Sequence, residues 1–267
     1  MLTVAEKTAI PRAARAAIVV GMIALMLIII APLHSLATAA PDEAIAAADL
    51  RWTKRTDPKE ADQLITMLEE TDRESPMDAE VLWRLARAYW WKGCGLAKDD
   101  RKGRIEWFEK AKSAAKNGTE ADPRNDNAFY WLASSIGETG TAKGILQSLF
   151  MAKPMREALE RCIALNPDRA DAHRVLAELY RQLPGPPLSI GNRQKALEEA
   201  RTAMRLDSEP SAHQLTLARC LIAVKEYREA REILNTLLMM APDIEDPQGA
   251  LDDQAAARKE LAAIAGK

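Results

Sequence analysis

The chain has 267 residues, 48% of them hydrophobic but only 5% aromatic, and β-branched alternation is scarce, which argues against strands and for an all-α protein. The formal net charge is −2, and it becomes more negative without residues 1–39, which hold three basic residues and one acidic. That balance disfavours a nucleic-acid partner.

Lys7, Arg12 and Arg15 precede an uncharged apolar run from Ala16 to Leu33, and Ala37, Thr38 and Ala39 then offer small residues of the kind a signal peptidase reads. Residues 1–39 therefore read as a secretory signal. The rival reading is an uncleaved anchor, because residues 16–33 reach the lower limit for a bilayer span. Either way the expected location is outside the cytoplasm, in a periplasm or at the inner membrane. Residues 40–77 are expected to hold leading helices, with Trp52 exposed and the half unit "ADQLITMLEETDRESP" at their end.

Four segments then align: "AEVLWRLARAYWWKG" from Ala79, "DNAFYWLASSIGETG" from Asp126, "ADAHRVLAELYRQLP" from Ala170 and "SAHQLTLARCLIAVK" from Ser211. The seventh place is always Leu (Leu85, Leu132, Leu176, Leu217) and the eighth always Ala (Ala86, Ala133, Ala177, Ala218). At 100° per residue, places four, seven, eight and eleven share one face of a helix. A second helix follows each time, with small or apolar residues such as Ala196, Ala200 and Ala203, or Ala230, Leu234 and Leu237, spaced so that two antiparallel helices can pack closely. Repeats are expected over 78–245 and a capping helix over 246–267.

The four starts are 47, 44 and 41 residues apart, so the first three units carry an excess. It is assigned to "CGLAKDDRKG" and "KNGTEAD" in the first, "TAKGILQSLFMAKP" in the second and "PGPPLSIGN" in the third. Insertions between paired helices are expected to form lips at one edge of the array. Asn117, in "NGT", is expected to end a helix unless it is a glycosylation site.

The face opposite the core stripe should line a concave groove. There the pattern puts aromatic residues and arginines where a purely solvated face would carry Lys and Glu. Trp83, Arg87, Trp90, Tyr130, Trp131, Arg174, Glu178, Arg181 and Arg219 are the candidate binding residues. Aromatics and Arg carry much of the energy at interfaces; the competing reading packs the tryptophans as core beneath the insertions. Arg87, Arg174 and Arg219 could together meet a carboxylate. No catalytic set is discernible: no carboxylate pair stands isolated among apolar residues, and no Ser/His/Asp or Cys/His arrangement holds together. Cys94, Cys162 and Cys220 read as unpaired thiols, and with His173 and His213 they lack the spacing of a metal site, so neither metal nor cofactor is expected.

Leu-Ala, an aromatic, small residues and a closing "NP" or "AP" in a frame of about 34 residues resemble tetratricopeptide repeats. More narrowly, "FYWLASSIGETG", "MREALERCIALNPDRADAHRVLAELYRQLPG" and "SIGNRQKALEEA" resemble the proteins grouped with regulators of microtubule dynamics. They are also similar to the periplasmic T-component associated with TRAP transporters. The resemblance implies a tetratricopeptide-like superhelix of about four repeats with an apolar concavity, and leaves room for self-association. For an exported chain it does not imply a microtubule role. The function read from these observations is a non-catalytic scaffold holding a protein or peptide in its groove; the alternative is a carrier of a small hydrophobic or amphipathic ligand for a transporter.

Overall fold

The computed structural model describes residues 42–243 and 246–267. Residues 1–39, read from the sequence as signal or anchor, lie outside the described residues. The chain divides into two units, residues 1–46 and 47–267, and the second holds the helical array. It opens with the last residues of a helix, α1, that runs over 42–52. Among the described residues ten more helices come after it: α2 (Pro58–Glu74), α3 (Ala79–Cys94), α4 (Arg101–Ala121), α5 (Asp126–Lys143), α6 (Ile145–Leu165), α7 (Ala170–Gln182), α8 (Arg193–Leu206), α9 (Ser211–Ala223), α10 (Tyr227–Met239) and α11 (Pro247–Ala263). No strand occurs among the described residues, and none of their helices is long and apolar enough to cross a membrane.

Local chemistry sets the helix starts. Asp78 accepts hydrogen bonds from the backbone N–H groups of Glu80 and Val81, Asn125 from that of Ala128, and Asn192 from those of Gln194 and Lys195. Each satisfies donors that a first helical turn leaves without partners. Packing then follows the repeat. α3 pairs with α4, α5 with α6, α7 with α8 and α9 with α10. Ala86, Ala133, Ala177 and Ala218 are fully buried, as are Ala196, Ala230, Leu234 and Leu237 on the second helices. Alanine at the eighth place lets the partner helix approach. Leu132 departs from the pattern, being only partly buried.

Two of the expected lips, "KNGTEAD" and "TAKGILQSLFMAKP", are largely helical. "KNGTEAD" continues α4 as far as Ala121, so Asn117 lies inside a helix and does not end one. "TAKGILQSLFMAKP" lengthens α5 to 18 residues and α6 to 21. Gly144, with φ 105°, makes the sharp turn between those two helices, a conformation that favours glycine. Residues 95–100 within "CGLAKDDRKG" form an open loop, as do residues 183–192, the third of these insertions. The ends of the latter are tied together, the Asn192 N–H donating to the Tyr180 carbonyl and the Gly191 N–H to that of Pro184.

Successive first helices pack on one another with one looser step. α3 approaches α5, α7 approaches α9 and α9 approaches α11 closely along their backbones, whereas α5 and α7 come less close and meet through side chains such as Tyr130 and Arg174. The long α6 fills part of the gap from the side, and the remainder is a cavity.

Candidate functional site

The sequence-predicted residues separate into two clusters and an edge. The first cluster lies where α1 meets α3. Trp83 is buried, donates its indole N–H to Glu80 and lies under the guanidinium of Arg84 at 4.2 Å. Arg87 stacks on Trp52 at 4.0 Å and pairs with Asp49 at 3.1 Å. Burial lowers its pKa to about 10 against the opposing pull of Asp49. Trp91 donates to the carbonyl of Arg55 and packs edge-on against Trp52, which is itself half-buried beneath Arg55 and Arg87. Trp83 and Arg87 thus close the end of the array, and the exposed Trp52 expected from the sequence is covered. The physical reason is that α1 supplies Asp49 and Trp52, a carboxylate and a ring that satisfy cations no later unit could reach.

The second cluster surrounds the gap. A cavity of about 400 Å³ is lined by Trp90 from α3, by Tyr130, Ser134, Gly137, Glu138 and Thr141 from α5, by Ser148, Met151, Ala152 and Met155 from α6, and by Arg174, Val175, Glu178, Leu179 and Gln182 from α7. Its size falls in the range of small-molecule sites, about 300–1,000 Å³. Trp131 backs the wall, with ring centroids 5.5 Å from Trp90 and 5.1 Å from Tyr130. Among the described residues the buried indole N–H of Trp90 has no acceptor, unlike those of Trp83 and Trp91. A buried donor left unpaired carries a cost that a bound acceptor could remove.

The charges of this wall are mostly matched within it. Glu178 accepts from Arg181 at 2.6 Å and from Gln182 at 2.7 Å. Burial alone would raise its pKa, but Arg181 and Gln182 outweigh burial and hold it below the usual carboxylate value. Glu138 pairs with Arg104 at 3.3 Å, and here burial prevails, raising its pKa. Arg174 faces the Tyr130 phenol and Glu178, but its buried Nε has no hydrogen-bond partner among the described residues; that nitrogen lies 3.6 Å from Asp171, a carboxylate shared with His213. Burial, followed by the charge of Asp171, raises the pKa of Tyr130, which keeps this phenol neutral.

Trp90, Tyr130, Arg174 and Glu178 therefore meet at one cavity, with Trp131 and Arg181 supporting them from behind. Trp83 and Arg87 are engaged elsewhere, and Arg219 pairs with Glu260 of α11 at 3.0 Å. The expected triad of Arg87, Arg174 and Arg219 does not assemble, because two of its members have internal carboxylates. Sequence reasoning missed Thr141 and Met151, which lay in a segment read as insertion, and took Met155, at the start of the second helix, as a packing position with Leu159 and Cys162. The legible signal was the helical spacing of Ser148, Met151, Ala152 and Met155, which marks one face. Among the described residues no cluster of side chains has the composition of a metal site.

The model of the regulator of microtubule dynamics protein 1-3 family matches residues 44–183, and a tetratricopeptide-repeat model matches residues 189–251. The regulator of microtubule dynamics protein 1 of Bos taurus is 34% identical over 110 residues, which are 40% of this chain and 32% of the relative. That of Mus musculus is 30% identical over 134 residues, 50% of this chain and 42% of the relative. The chain thus spans less than half the length of these curated relatives. A thermophilic tetratricopeptide-repeat protein of Thermus thermophilus is similar in structure, with a TM-score of 0.60 at 18% identity over 83% of this chain and 98% of its own. PilF of Pseudomonas aeruginosa gives 0.53 at 15% identity over 85% and 94%. At such identities the likeness shows the fold alone.

Proposed function

This chain belongs to the regulator of microtubule dynamics protein 1-3 family, and from that premise we propose that it is an exported, non-catalytic scaffold that holds a protein or peptide segment at the cavity between α5 and α7. Tetratricopeptide-repeat proteins generally are interaction scaffolds of this kind. One observation carries the reading. The backbones of α5 and α7 approach less closely than those of the other successive first helices, and the opening between them is lined by an aromatic residue with an unpaired N–H, two methionines and an arginine whose Nε has no hydrogen-bond partner. An opening of that composition suits the anchor residue of a partner. Export rests on Lys7, Arg12 and Arg15 ahead of the apolar run from Ala16 to Leu33, and sequencing the N-terminus of the protein from its host tests it. A microtubule role is not proposed, since the curated relatives match over less than half of their length.

The test is site-specific photocrosslinking from Gln182, at the rim, in the native host. A discrete polypeptide adduct that disappears in Trp90→Ala and in Met155→Glu, both still folded by circular dichroism, supports the scaffold. An adduct indifferent to both substitutions refutes the site. A second reading, a carrier of a small hydrophobic or amphipathic ligand for a transporter, is favoured by Met151, Ala152 and Met155 along α6. Native mass spectrometry that finds a copurifying small molecule, with no polypeptide adduct in the host, would replace the first reading with the second.

A further inference from the structure

The cavity has two unlike ends. α5 and α6 run antiparallel, since a Cβ on Gly137 would touch Met155 and one on Gly140 would touch Ser148 and Met151. From Tyr130 to Thr141 the wall of α5 rises about 16 Å, at 1.5 Å per residue. At the Tyr130 end stand a phenol, the hydroxyl of Ser134 and Arg174. At the other end the wall passes to Met151 and then out of the cavity, because Ile145 continues the stripe of Ser148, Ala152 and Met155 along α6. Ile145 is 85% exposed, and Leu146 and Phe150 beside it are also exposed.

Charge distinguishes the ends further. Glu138 pairs with Arg104 and Glu178 Oε2 with Arg181, while Glu178 Oε1 is left without a hydrogen-bond partner among the described residues. Arg87 and Arg219 are matched by Asp49 and Glu260. Arg174 faces the Tyr130 phenol, Glu178 and Asp171, the last at 3.6 Å, beyond hydrogen-bond reach and already shared with His213, yet its buried Nε has no hydrogen-bond partner among the described residues. A planar guanidinium in that position can offer parallel N–H groups to a carboxylate, and a low local dielectric strengthens the pairing.

We propose that this cavity receives a carboxylate joined to an apolar chain, with the carboxylate against Arg174 and the chain lying along α6 toward Ile145. The proposal rests on the cavity being the binding site argued above. It names a chemistry with two sources: an apolar peptide ending in a free C-terminal carboxylate, and a free alkyl carboxylic acid. The carboxylate pairs with Arg174, while the chain covers Met151, Met155 and the exposed stripe that continues from them.

The experiment is calorimetric titration of the protein isolated from its host with decanoate, decan-1-ol and decylammonium, and with N-acetyl-Leu-Leu and its C-terminal amide. At least one acid should bind ten-fold or more tightly than its uncharged counterpart. Arg174→Gln should erase that preference, Arg174→Lys should keep part of it, and Met155→Glu should weaken every probe. A preference in the decanoate series alone assigns the free acid as source; one in the peptide series alone assigns the peptide end. Equal affinity for acid and neutral probe in the unsubstituted protein overturns the proposal without need of any variant, as does a preference that survives Arg174→Gln. In either case, if Met155→Glu still weakens binding, the cavity stands and only the carboxylate chemistry falls. If no probe binds and Met155→Glu leaves the host crosslink intact, the cavity itself is not the site.

Discussion

Replacing Asp49 by Asn tests how the start of the array is closed. Asp49 accepts from Arg84 through Nε at 2.9 Å and Nη2 at 2.6 Å, and from Arg87 through Nη2 at 3.1 Å. The two guanidinium side chains are only 10% and 12% exposed, whereas Asp49 is 45% exposed. Breaking a fully buried pair costs about 3–5 kcal/mol because a charge is left without compensation. Arg84 keeps Glu80 at 2.7 Å, and water reaches the carboxylate side, so the loss falls mainly on Arg87 and is screened. An expected cost of about 2 kcal/mol follows, or roughly 4–8 °C in melting temperature for a chain of this size. Because neighbouring units stabilise one another locally in such an array, α3 should lose amide-exchange protection before α9 to α11 do. The assay is urea denaturation with hydrogen exchange read by helix, on Asp49→Asn alone and in an Arg87→Met background, where the same substitution should cost at least about 1 kcal/mol less. A loss below about 0.5 kcal/mol, or equal deprotection of α3 and α10, would refute the reasoning.

Three further outcomes are expected. Gly93→Ala places a Cβ 2.6 Å from Cε1 of Phe108, a fully buried ring, so overpacking of about 1–3 kcal/mol outweighs the roughly 1 kcal/mol gained in helix propensity; the melting temperature should fall, and recover in part with Phe108→Leu. Gly191→Ala brings a Cβ 1.9 Å from the Leu183 carbonyl oxygen, while Gly185→Ala meets its nearest atom at an ordinary 3.5 Å, so only the former should destabilise, and equal melting temperatures would contradict the tied-loop account. His173 has a raised pKa, chiefly because Nδ1 faces Glu199 at 2.6 Å, with burial opposing and the Pro167 carbonyl adding to it. Its folded value exceeds the unfolded one, so its contribution is fully present below about pH 6.5 and is lost as pH rises through the folded value. Urea midpoints at pH 6 and pH 9 should differ less in His173→Gln than in the unsubstituted protein; an unchanged difference would refute the pairing.

Much of this arrangement is written in local pattern. Leu85 and Ala86, and their counterparts at Leu176 and Ala177 or Leu217 and Ala218, are buried where a 3.6-residue period puts them. Asn192 caps α8 as its position after "PGPPLSIG" implies. Other features are not local. Nothing near Arg87 or Arg174 in the sequence distinguishes an arginine that will meet Asp49 from one that will be left at a cavity. The stretch "TAKGILQSLF" reads from the sequence only as an insertion, and its helical course is hidden until α6 is seen to begin at Ile145, because Gly144 and Pro154 are both residues that ordinarily interrupt helices.

By itself, then, the sequence determined the helix pairs, their order and the faces they bury, since periodicity and capping act within a few residues. Only the tertiary structure decided that a cavity would open between α5 and α7, that α6 would line it with Met151 and Met155, and that Arg174 would be the arginine facing it. Those outcomes depend on the lengths of helices packed side by side and on carboxylates dozens of residues away, distances over which a repeat pattern carries no information about which charge will find which partner.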